Sequence, residues 1–334
     1  MRGAAIAMHA RVQLYESNWQ AVITDCERLI NADTDGAFEL FSNYEELFSV
    51  AAEYNSEVIF DLQFGGSRLQ GIQRAFLPPT IGRLRPVLVP TQSLVDNYIM
   101  LNGKSISDPT AGYDIDNPYE NRDPRFSKTI VYHGSEMVDF AGVSKVILTQ
   151  PGSNPNDNSI ENQNGSATGY YFRKYYDRTA VDYASSVNLI LIRYADVLLM
   201  YAEAKNQLGQ MTVDVWNKTI RAIRQRAGFT AGSALDFDNS LSQDQLTSII
   251  RQERRSELAF EGLRIFDIRR WKTAASVMNV PAKGIKISSA QFPQDENGFI
   301  IVQDRAFDDK HYLWPVPQYE IDQNQNLAPN NPGW

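Results

Sequence analysis

The segment between residues 193 and 228 places apolar side chains at the spacing of one face of an α-helix, twice in succession. The first stripe consists of Tyr194, Val197, Leu198, Tyr201, Ala202 and Leu208, and the second of Val213, Trp216, Ile220, Ile223 and Ala227. Residues three and four apart lie on the same side of a helix. Gly209 and Gly228 follow the two stripes, where glycine typically ends a helix. The pattern predicts two antiparallel amphipathic helices joined by a short turn, which is a helical hairpin of tetratricopeptide type.

Two further hairpins are predicted from the same spacing, over residues 3–31 and 242–271. The later one opens with Ser242 and Gln245, which have the spacing of a capping box, in which two side chains satisfy backbone amides at the start of a helix. Gly262 is expected to end or bend its first helix. The chain is therefore predicted to be mainly α, with tetratricopeptide-like helical hairpins, long loops and a few short β-strands.

Charged residues fall on the inward side of the last hairpin. Continuing the apolar stripe past residue 250 brings several of them onto or beside that face, namely Glu253, Arg254, Glu257, Glu261 and Arg264. Buried charges must be paired to be tolerated, so we expect an internal Glu–Arg network with a structural role. Glu253 and Glu257 are also a pair of carboxylates, as glycoside hydrolysis requires. The arginines around them favour ion pairing, and no catalytic role is predicted.

Several long segments resemble the C-terminal half of proteins of the SusD/RagB family. They are R-Y-A-D-V-L-L-M-Y-A-E-A (193–204), A-I-R-Q-R-A-G (222–228) and E-R-R-S-E-L-A-F-E-G-L-R-I-F-D-I-R-R-W (253–271), with P-T-Q-S-L-V-D-N-Y (90–98) and Y-E-N-R-D-P-R-F (119–126) upstream and Y-L-W-P-V-P (312–317) and N-N-P-G-W (330–334) at the end. The resemblance implies a single SusD-like domain over residues 1–334. Members of the family begin with a lipoprotein signal and a substantial N-terminal region. Neither is recognised in this sequence, so we expect the chain to be the C-terminal portion of a longer protein.

The resemblance also implies a function. Proteins of this family are surface lipoproteins of the outer membrane of Bacteroidetes-type bacteria. They capture oligosaccharides without cleaving them and deliver them to a SusC-like TonB-dependent transporter, and no cofactor is implied. Two alternatives stay open at this point: peptide capture for uptake, as in RagB-like members, and a tetratricopeptide-type interaction scaffold with no small ligand.

A ligand is expected to bind in the loop-rich region between about residues 64 and 180, because loops held on a rigid scaffold carry many binding residues. Sugars present hydroxyl groups at their edges and C–H groups on their faces, so a receptor needs aromatic rings with planar polar side chains around them. Candidate ligand contacts of these types are Arg68, Gln70, Gln73, Arg74, Phe76, Tyr113 and Tyr119. Each of them would serve loop packing equally well.

Charge and residue spacing argue against other classes of function. The net charge of −8 and the pI near 5.1 leave no basic stripe for the phosphates of a nucleic acid. The three histidines are scattered without the spacing of metal ligands. Asp and Asn clusters at 114–117 and 154–158 offer oxygen atoms that suit a structural calcium ion. They lack the EF-hand pattern, so solvated loops are the favoured interpretation and no metal site is predicted.

Overall fold

The computed structural model describes residues 2–33, 36–82, 85–288 and 292–334. With 38% helix and 13% strand, the prediction of a mainly α fold is confirmed. The helices are α1 (Arg2–Tyr15), α2 (Trp19–Ile30), α3 (Pro79–Gly82), α4 (Gln92–Asn97), α5 (Arg125–Thr129), α6 (Tyr194–Gln207), α7 (Val213–Trp216), α8 (Ala222–Ala227), α9 (Gly232–Leu235), α10 (Gln243–Glu257), α11 (Arg264–Arg270), α12 (Ala274–Met278) and α13 (Gln318–Gln323). A π-helical turn at Asn217–Arg221 joins α7 to α8. Short 3₁₀ segments lie at Glu46–Phe48, Val50–Ala52, Ile72–Ala75, Asp309–Tyr312 and Gln325–Leu327.

The strands pair as separate two-stranded antiparallel ribbons. They are β1 (Val58–Leu62) with β6 (Leu189–Arg193), β2 (Ile130–Val131) with β5 (Tyr171–Phe172), β3 (Glu136–Val138) with β4 (Ser144–Val146), and β7 (Ala282–Lys286) with β8 (Phe299–Gln303). Ribbons this short cannot cover a core by themselves. Two of them, β1 with β6 and β2 with β5, join distant parts of the chain, and β6 leads directly into α6.

The helical core lies between α1, α2, α6 and α10. The helix α2 packs against α1 and α6, and α6 packs against α10. The side chains between them are those that the helical stripes predict, among them Ala10, Val22, Val197, Ile220 and Ile250. The helical spacing predicts burial wrongly at the turn between α6 and α7, where Leu208 and Val213 are exposed.

A second core, rich in aromatic rings, lies under the irregular region between β1 and β6. Its buried members include Tyr44, Phe76, Tyr98, Phe126, Tyr170 and Tyr171. Even the stretch between residues 150 and 168, which is rich in Ser, Asn and Gly, contributes buried groups. Asp157 is completely buried there, and its carboxylate accepts hydrogen bonds from the backbone N–H and the hydroxyl of Thr80 at 2.9 and 2.8 Å. The long loops are therefore packed against the body of the protein and hold their side chains in place.

The capping box at the start of α10 is confirmed. Ser242 Oγ accepts the backbone N–H of Gln245 at 3.3 Å, and the Gln245 side chain accepts the backbone N–H of Ser242 at 2.8 Å. Replacing Ser242 by alanine is expected to lower the free energy of unfolding by about 1 kcal/mol, because an amide at the helix start loses its acceptor.

Chemical denaturation followed by circular dichroism measures this loss. Ser248→Ala is the matched control, because Ser248 lies inside the same helix and its hydroxyl bonds only to the backbone oxygen of Asp244. Its free energy of unfolding is expected to change by less than about 0.5 kcal/mol. Equal losses in the two variants would show that the capping box does not stabilise α10.

Candidate functional site

Glu257, the last residue of α10, is a buried carboxylate surrounded by three arginines. Arg193, the residue before α6, donates to its Oε1 at 2.6 Å, and Arg125 of α5 donates to its Oε2 at 2.9 Å. Arg226 of α8 also contacts Oε1. The three guanidinium groups belong to three separate segments, so Glu257 ties those segments to the end of α10.

Two further carboxylates near this position are paired in the same way. One turn earlier, Glu253 contacts Arg125 at 2.6 Å and Arg224 at 2.8 Å. Just beyond the helix, Glu261 contacts Lys174 at 2.6 Å. As far as the structure describes the chain, the joined cluster has five carboxylates and five cations: Asp123, Glu57, Glu253, Glu257 and Glu261 with Arg125, Arg193, Arg224, Arg226 and Lys174. The charges balance, as burial requires.

The arginines keep these carboxylates ionised. Burial alone would raise the pKa of Glu257, but the charges of the surrounding arginines, Arg226 foremost, outweigh burial and hold that pKa well below its usual range. The same balance lowers the pKa values of Glu253 and Glu261. A general acid for glycoside hydrolysis needs a raised pKa and access to the substrate. Glu253 and Glu257 have neither, so their arrangement fits ion pairing and not acid–base chemistry.

This cluster makes stability depend on acid pH. The pKa values of Glu253, Glu257 and Glu261 are lower in the folded chain than the value near 4.3 of an unfolded glutamate, so the folded state binds fewer protons there. The stabilisation is therefore complete above about pH 5. Below that, the free energy of unfolding falls by up to about 1.4 kcal/mol per pH unit for each glutamate that is protonated in the unfolded chain and ionised in the folded one. Urea unfolding at about pH 7, 5 and 3.5 measures the change. A free energy of unfolding that stays constant down to about pH 3.5 would contradict this expectation.

Arg254 lies in a second buried cluster, where its guanidinium contacts Asp196 at 2.5 Å and Asp267 at 2.8 Å. The predicted place of Arg264 in the network is wrong. Among the residues that the structure describes, none of the carboxylates lies within 4.0 Å of Arg264. Its guanidinium lies 6.0 Å from the ring centre of Trp271 instead. The reason is that α10 ends at Glu257 and α11 begins at Arg264, so the helical spacing of α10 does not extend to this residue.

Gln70, Gln73 and Phe76 are buried, and for these three candidate ligand contacts the prediction is wrong. Phe76 packs in the aromatic core. The side-chain oxygens of the glutamines accept backbone N–H groups, from Ile72 at 2.8 Å in the case of Gln70 and from Asp177 at 3.2 Å in the case of Gln73. These side chains stabilise the loop conformation and present no surface to a ligand.

Arg68 and Arg74 are exposed, but both contact their own surroundings. The guanidinium of Arg68 lies 6.0 Å from the ring centre of Phe64. Arg74 donates a hydrogen bond to the backbone oxygen of Asp182 at 2.6 Å. Neither arginine lines the cleft in which the two remaining candidates meet. Their part in ligand binding remains a prediction.

Tyr113 and Tyr119 line the same surface cleft, which has a volume of about 640 Å³. Sites for small molecules usually measure about 300–1,000 Å³, so the cleft is large enough for a short oligomer. Other residues of its wall are Gln92, Tyr132, His133, Gln150, Tyr170 and Phe299. The structure therefore brings together two of the candidate ligand contacts and adds aromatic and polar groups beside them.

The aromatic rings of the cleft are held in a stack. The ring centres of Tyr119 and Tyr132 lie 4.2 Å apart, and both rings pack against Phe126, at 5.8 and 5.1 Å. Tyr119 and Tyr170 join their hydroxyl groups at 3.4 Å, and Tyr170 donates to Gln92 at 2.6 Å. Burial raises the pKa of Tyr119 to about 12, so this hydroxyl stays protonated at neutral pH. These contacts hold the wall of the cleft in place, because a ring that turned away from a ligand would lose them.

His133 gives the cleft a defined hydrogen-bond donor. Its Nδ1 accepts the backbone N–H of Thr149 at 2.9 Å and that of Gln150 at 3.1 Å. The proton of the neutral ring is therefore on Nε2. Burial lowers the pKa of His133, so the neutral form predominates at neutral pH and this tautomer is retained.

The sequence model of the SusD family matches residues 56–334, which is most of the chain. The chain belongs to the SusD family. The SusD-like protein P38 of Formosa agariphila is 28% identical over 294 residues, which cover 84% of this chain and 54% of that protein. A solved SusD-like carbohydrate-binding protein of Bacteroides fragilis is 29% identical with a TM-score of 0.82, over 98% of this chain and 64% of its own length. This SusD-family chain therefore spans between half and two thirds of the length of these relatives.

Closer similarity to one relative is confined to part of this SusD-family chain. The SusD-like protein P2 of Formosa agariphila is 38% identical over 153 residues, which cover 45% of this chain and 26% of that protein. The membership predicted from the sequence motifs is confirmed, and so is the tetratricopeptide-like helical fold.

Sequence reasoning missed Tyr132 and His133 of this SusD-family cleft. Both follow β2 directly, so they lie where a strand delivers side chains into a loop. Strand ends are common positions for binding residues, and a Tyr-His pair at such an end was the available signal. Gln150 and Phe299 gave no such signal, because they reach the cleft from distant parts of the chain.

A second large concavity of this SusD-family chain suits a sugar less well. It measures about 600 Å³ and is lined largely by apolar side chains, including Ile72, Leu94, Leu189, Leu191 and Leu263. Charged residues such as Arg255 and Arg264 also line it, but most of its surface is apolar and leaves the hydroxyl groups of a sugar without hydrogen-bond partners. The tyrosine-lined cleft is therefore the better candidate for a saccharide.

In residues 2–33, 36–82, 85–288 and 292–334 of this SusD-family chain, no group of three or more His, Cys, Asp or Glu residues is placed to hold a metal ion. In the cluster at 114–117, Asp114 accepts the backbone N–H of Asp116 and the side-chain amide of Asn117, at 2.9 and 2.8 Å. No helix in these ranges is both long enough and apolar enough to cross a membrane.

Proposed function

We propose that this chain binds an oligosaccharide, without cleaving it, in the cleft of Tyr113, Tyr119 and Tyr132. The observation that carries the proposal is the side-by-side arrangement of aromatic rings and hydrogen-bonding groups in that cleft. Aromatic rings suit the C–H faces of a sugar, and tyrosine hydroxyls and His133 suit its hydroxyl groups. Within the described part of the chain, the hydroxyls of Tyr113 and Tyr132 have no hydrogen-bond partner, so both are available to a ligand.

Binding without cleavage agrees with the positions of the carboxylates. Glycoside hydrolysis uses two carboxyl groups that flank the scissile bond of the substrate. The acidic residues that line the cleft, Asp116 and Glu120, lie four positions apart on one loop and are both exposed. Glu253 and Glu257 are buried among arginines and do not line it.

Family membership supports a saccharide as the ligand and suggests the setting. One solved relative, at 29% identity, is a SusD-like carbohydrate-binding protein. We propose that this chain, like other proteins of its family, acts as part of a surface lipoprotein of the outer membrane and passes its ligand to a SusC-like TonB-dependent transporter. The helical hairpins then form the rigid frame, and the loops between β1 and β6 meet the ligand.

An affinity-gel screen with neutral polysaccharides, followed by isothermal titration with oligosaccharides of any that retard the protein, tests the proposal. We expect at least one glycan to retard the protein and to release no new reducing ends on incubation. Binding of oligopeptides with no response to any glycan would replace this function with peptide capture. Glycan cleavage that is lost in Glu253→Gln or Glu257→Gln would show an enzyme, and no binding of glycan or peptide would favour an interaction scaffold.

A further inference from the structure

A smaller pocket, separate from the tyrosine-lined cleft, is rich in positive charge. Its volume is about 300 Å³, and the basic residues that line it are Lys128, Arg173, Lys174 and Arg178. Only one acidic side chain, Glu45, lines it among the residues that the structure describes. The chain as a whole has a net charge of −8, so the charge of this pocket is opposite in sign to the net charge of the molecule.

Three of these cations lack a carboxylate partner. The fourth, Lys174, already forms an ion pair, because Glu261 lies 2.6 Å from its Nζ. Arg173 donates to the backbone oxygen of Glu136, but its Nε is buried without a hydrogen-bond partner. For Lys128, Arg173 and Arg178, the described ranges contain no carboxylate within 4.0 Å.

Three buried arginines elsewhere in the chain are paired instead. Arg125, Arg193 and Arg224 each have a carboxylate oxygen within 2.8 Å. Arg173 is half-buried with no such partner, and burial lowers its pKa by more than the nearby charge of Glu45 raises it. An anion bound in the pocket would supply the missing negative charge.

We infer that this pocket binds the anionic substituent of a saccharide, either the carboxylate of a uronic acid or a sulfate ester. The inference rests on the proposed function, which makes the ligand a sugar. Guanidinium groups match the oxygens of carboxylate and sulfate with two parallel hydrogen bonds, and Arg173 and Arg178 supply two such groups. Tyr176, half-buried in the same wall, offers a ring to the sugar face. A pocket of 300 Å³ lies at the lower end of the usual range, so it suits one substituted sugar ring.

Isothermal titration with charged and neutral forms of the same sugar tests the inference. The probes are an oligogalacturonide and its methyl ester, a sulfated galactan oligosaccharide and its desulfated form, and sodium sulfate alone. We expect at least one anionic oligosaccharide to bind about tenfold or more tightly than its neutral form, with an affinity that falls as salt increases. Whether the uronate or the sulfated sugar shows this preference identifies the group that the pocket accepts.

Arg178→Gln and Lys128→Gln test the location, because both side chains can change without opening the core. Each is expected to weaken binding of the preferred anionic oligosaccharide about tenfold and to leave its neutral form unaffected. Lys218→Gln is the matched control, an exposed lysine on the π-helical turn after α7 and outside the pocket, and it should bind like the parent.

Equal affinity for charged and neutral sugars, or no effect of the two pocket variants, would overturn the inference. Neutral-glycan binding that depends on the tyrosine-lined cleft would then still support the proposed function. If sodium sulfate binds and none of the saccharides does, both the inference and the proposed function are overturned, and the pocket is a site for a free oxyanion.

Discussion

Replacing Glu257 by alanine is expected to lower the free energy of unfolding by about 3–5 kcal/mol. The carboxylate is fully buried and lies among Arg125, Arg193 and Arg226, whose positive charges it offsets. Each arginine keeps another carboxylate, but the cluster is left with one positive charge in excess and buried away from water, which costs more than the lost pair itself contributes. The loss should therefore be larger than that of an average core substitution.

Chemical denaturation followed by circular dichroism gives the free energies for this comparison. Glu257→Gln keeps nearly the same shape and removes the charge, so a similar loss in that variant assigns the effect to electrostatics and not to a cavity. Glu16→Ala, at the exposed end of α1, is the matched control and should change the free energy by less than about 0.5 kcal/mol. A loss below about 1 kcal/mol for Glu257→Ala would mean that the network does not hold the fold together.

Three of the five carboxylates in this network, Glu253, Glu257 and Glu261, could be predicted from sequence, and its basic half could not. Helical spacing places Glu253 and Glu257 toward the core, and a buried charge needs a partner, so a network had to exist. The arginine partners come from α5, α8 and the residue before α6, which no periodicity relates to α10. Arg264 was assigned wrongly because spacing holds only within one helix. Gly262, with φ of 79°, lies in the turn that separates α11 from α10.

The ligand contacts were harder to predict, because an irregular segment has no period to tell inward from outward side chains. Gln73 lies in the 3₁₀ segment Ile72–Ala75 and Phe76 directly follows it, and both are buried. Composition alone could not distinguish them from the exposed Arg74 between them. Tyr113 and Tyr119 meet in the cleft because the loop that carries them packs on the aromatic core, a contact between segments distant in sequence.

Tyr132→Ala is expected to weaken glycan binding by about fivefold to a hundredfold. Loss of an aromatic contact and of a hydrogen bond each costs about 0.5–1.5 kcal/mol, and each 1.4 kcal/mol is a factor of ten in affinity. Tyr132 packs against both Tyr119 and Phe126, and its free hydroxyl belongs to the cleft wall. Both contributions are therefore lost together in the alanine variant, whereas Tyr132→Phe loses only the hydroxyl and should weaken binding less than tenfold.

Isothermal titration with the glycan that retards the parent protein measures these affinities, and circular dichroism shows whether the variants remain folded. Tyr113→Ala is the second test, because Tyr113 is only half-buried in the same wall and its removal disturbs the core less. Tyr319→Ala removes an exposed tyrosine of α13, away from the cleft, and should bind like the parent. If Tyr132→Ala and Tyr113→Ala both bind the glycan with unchanged affinity while folded, the proposed site is wrong, because it assigns the sugar contacts to these rings.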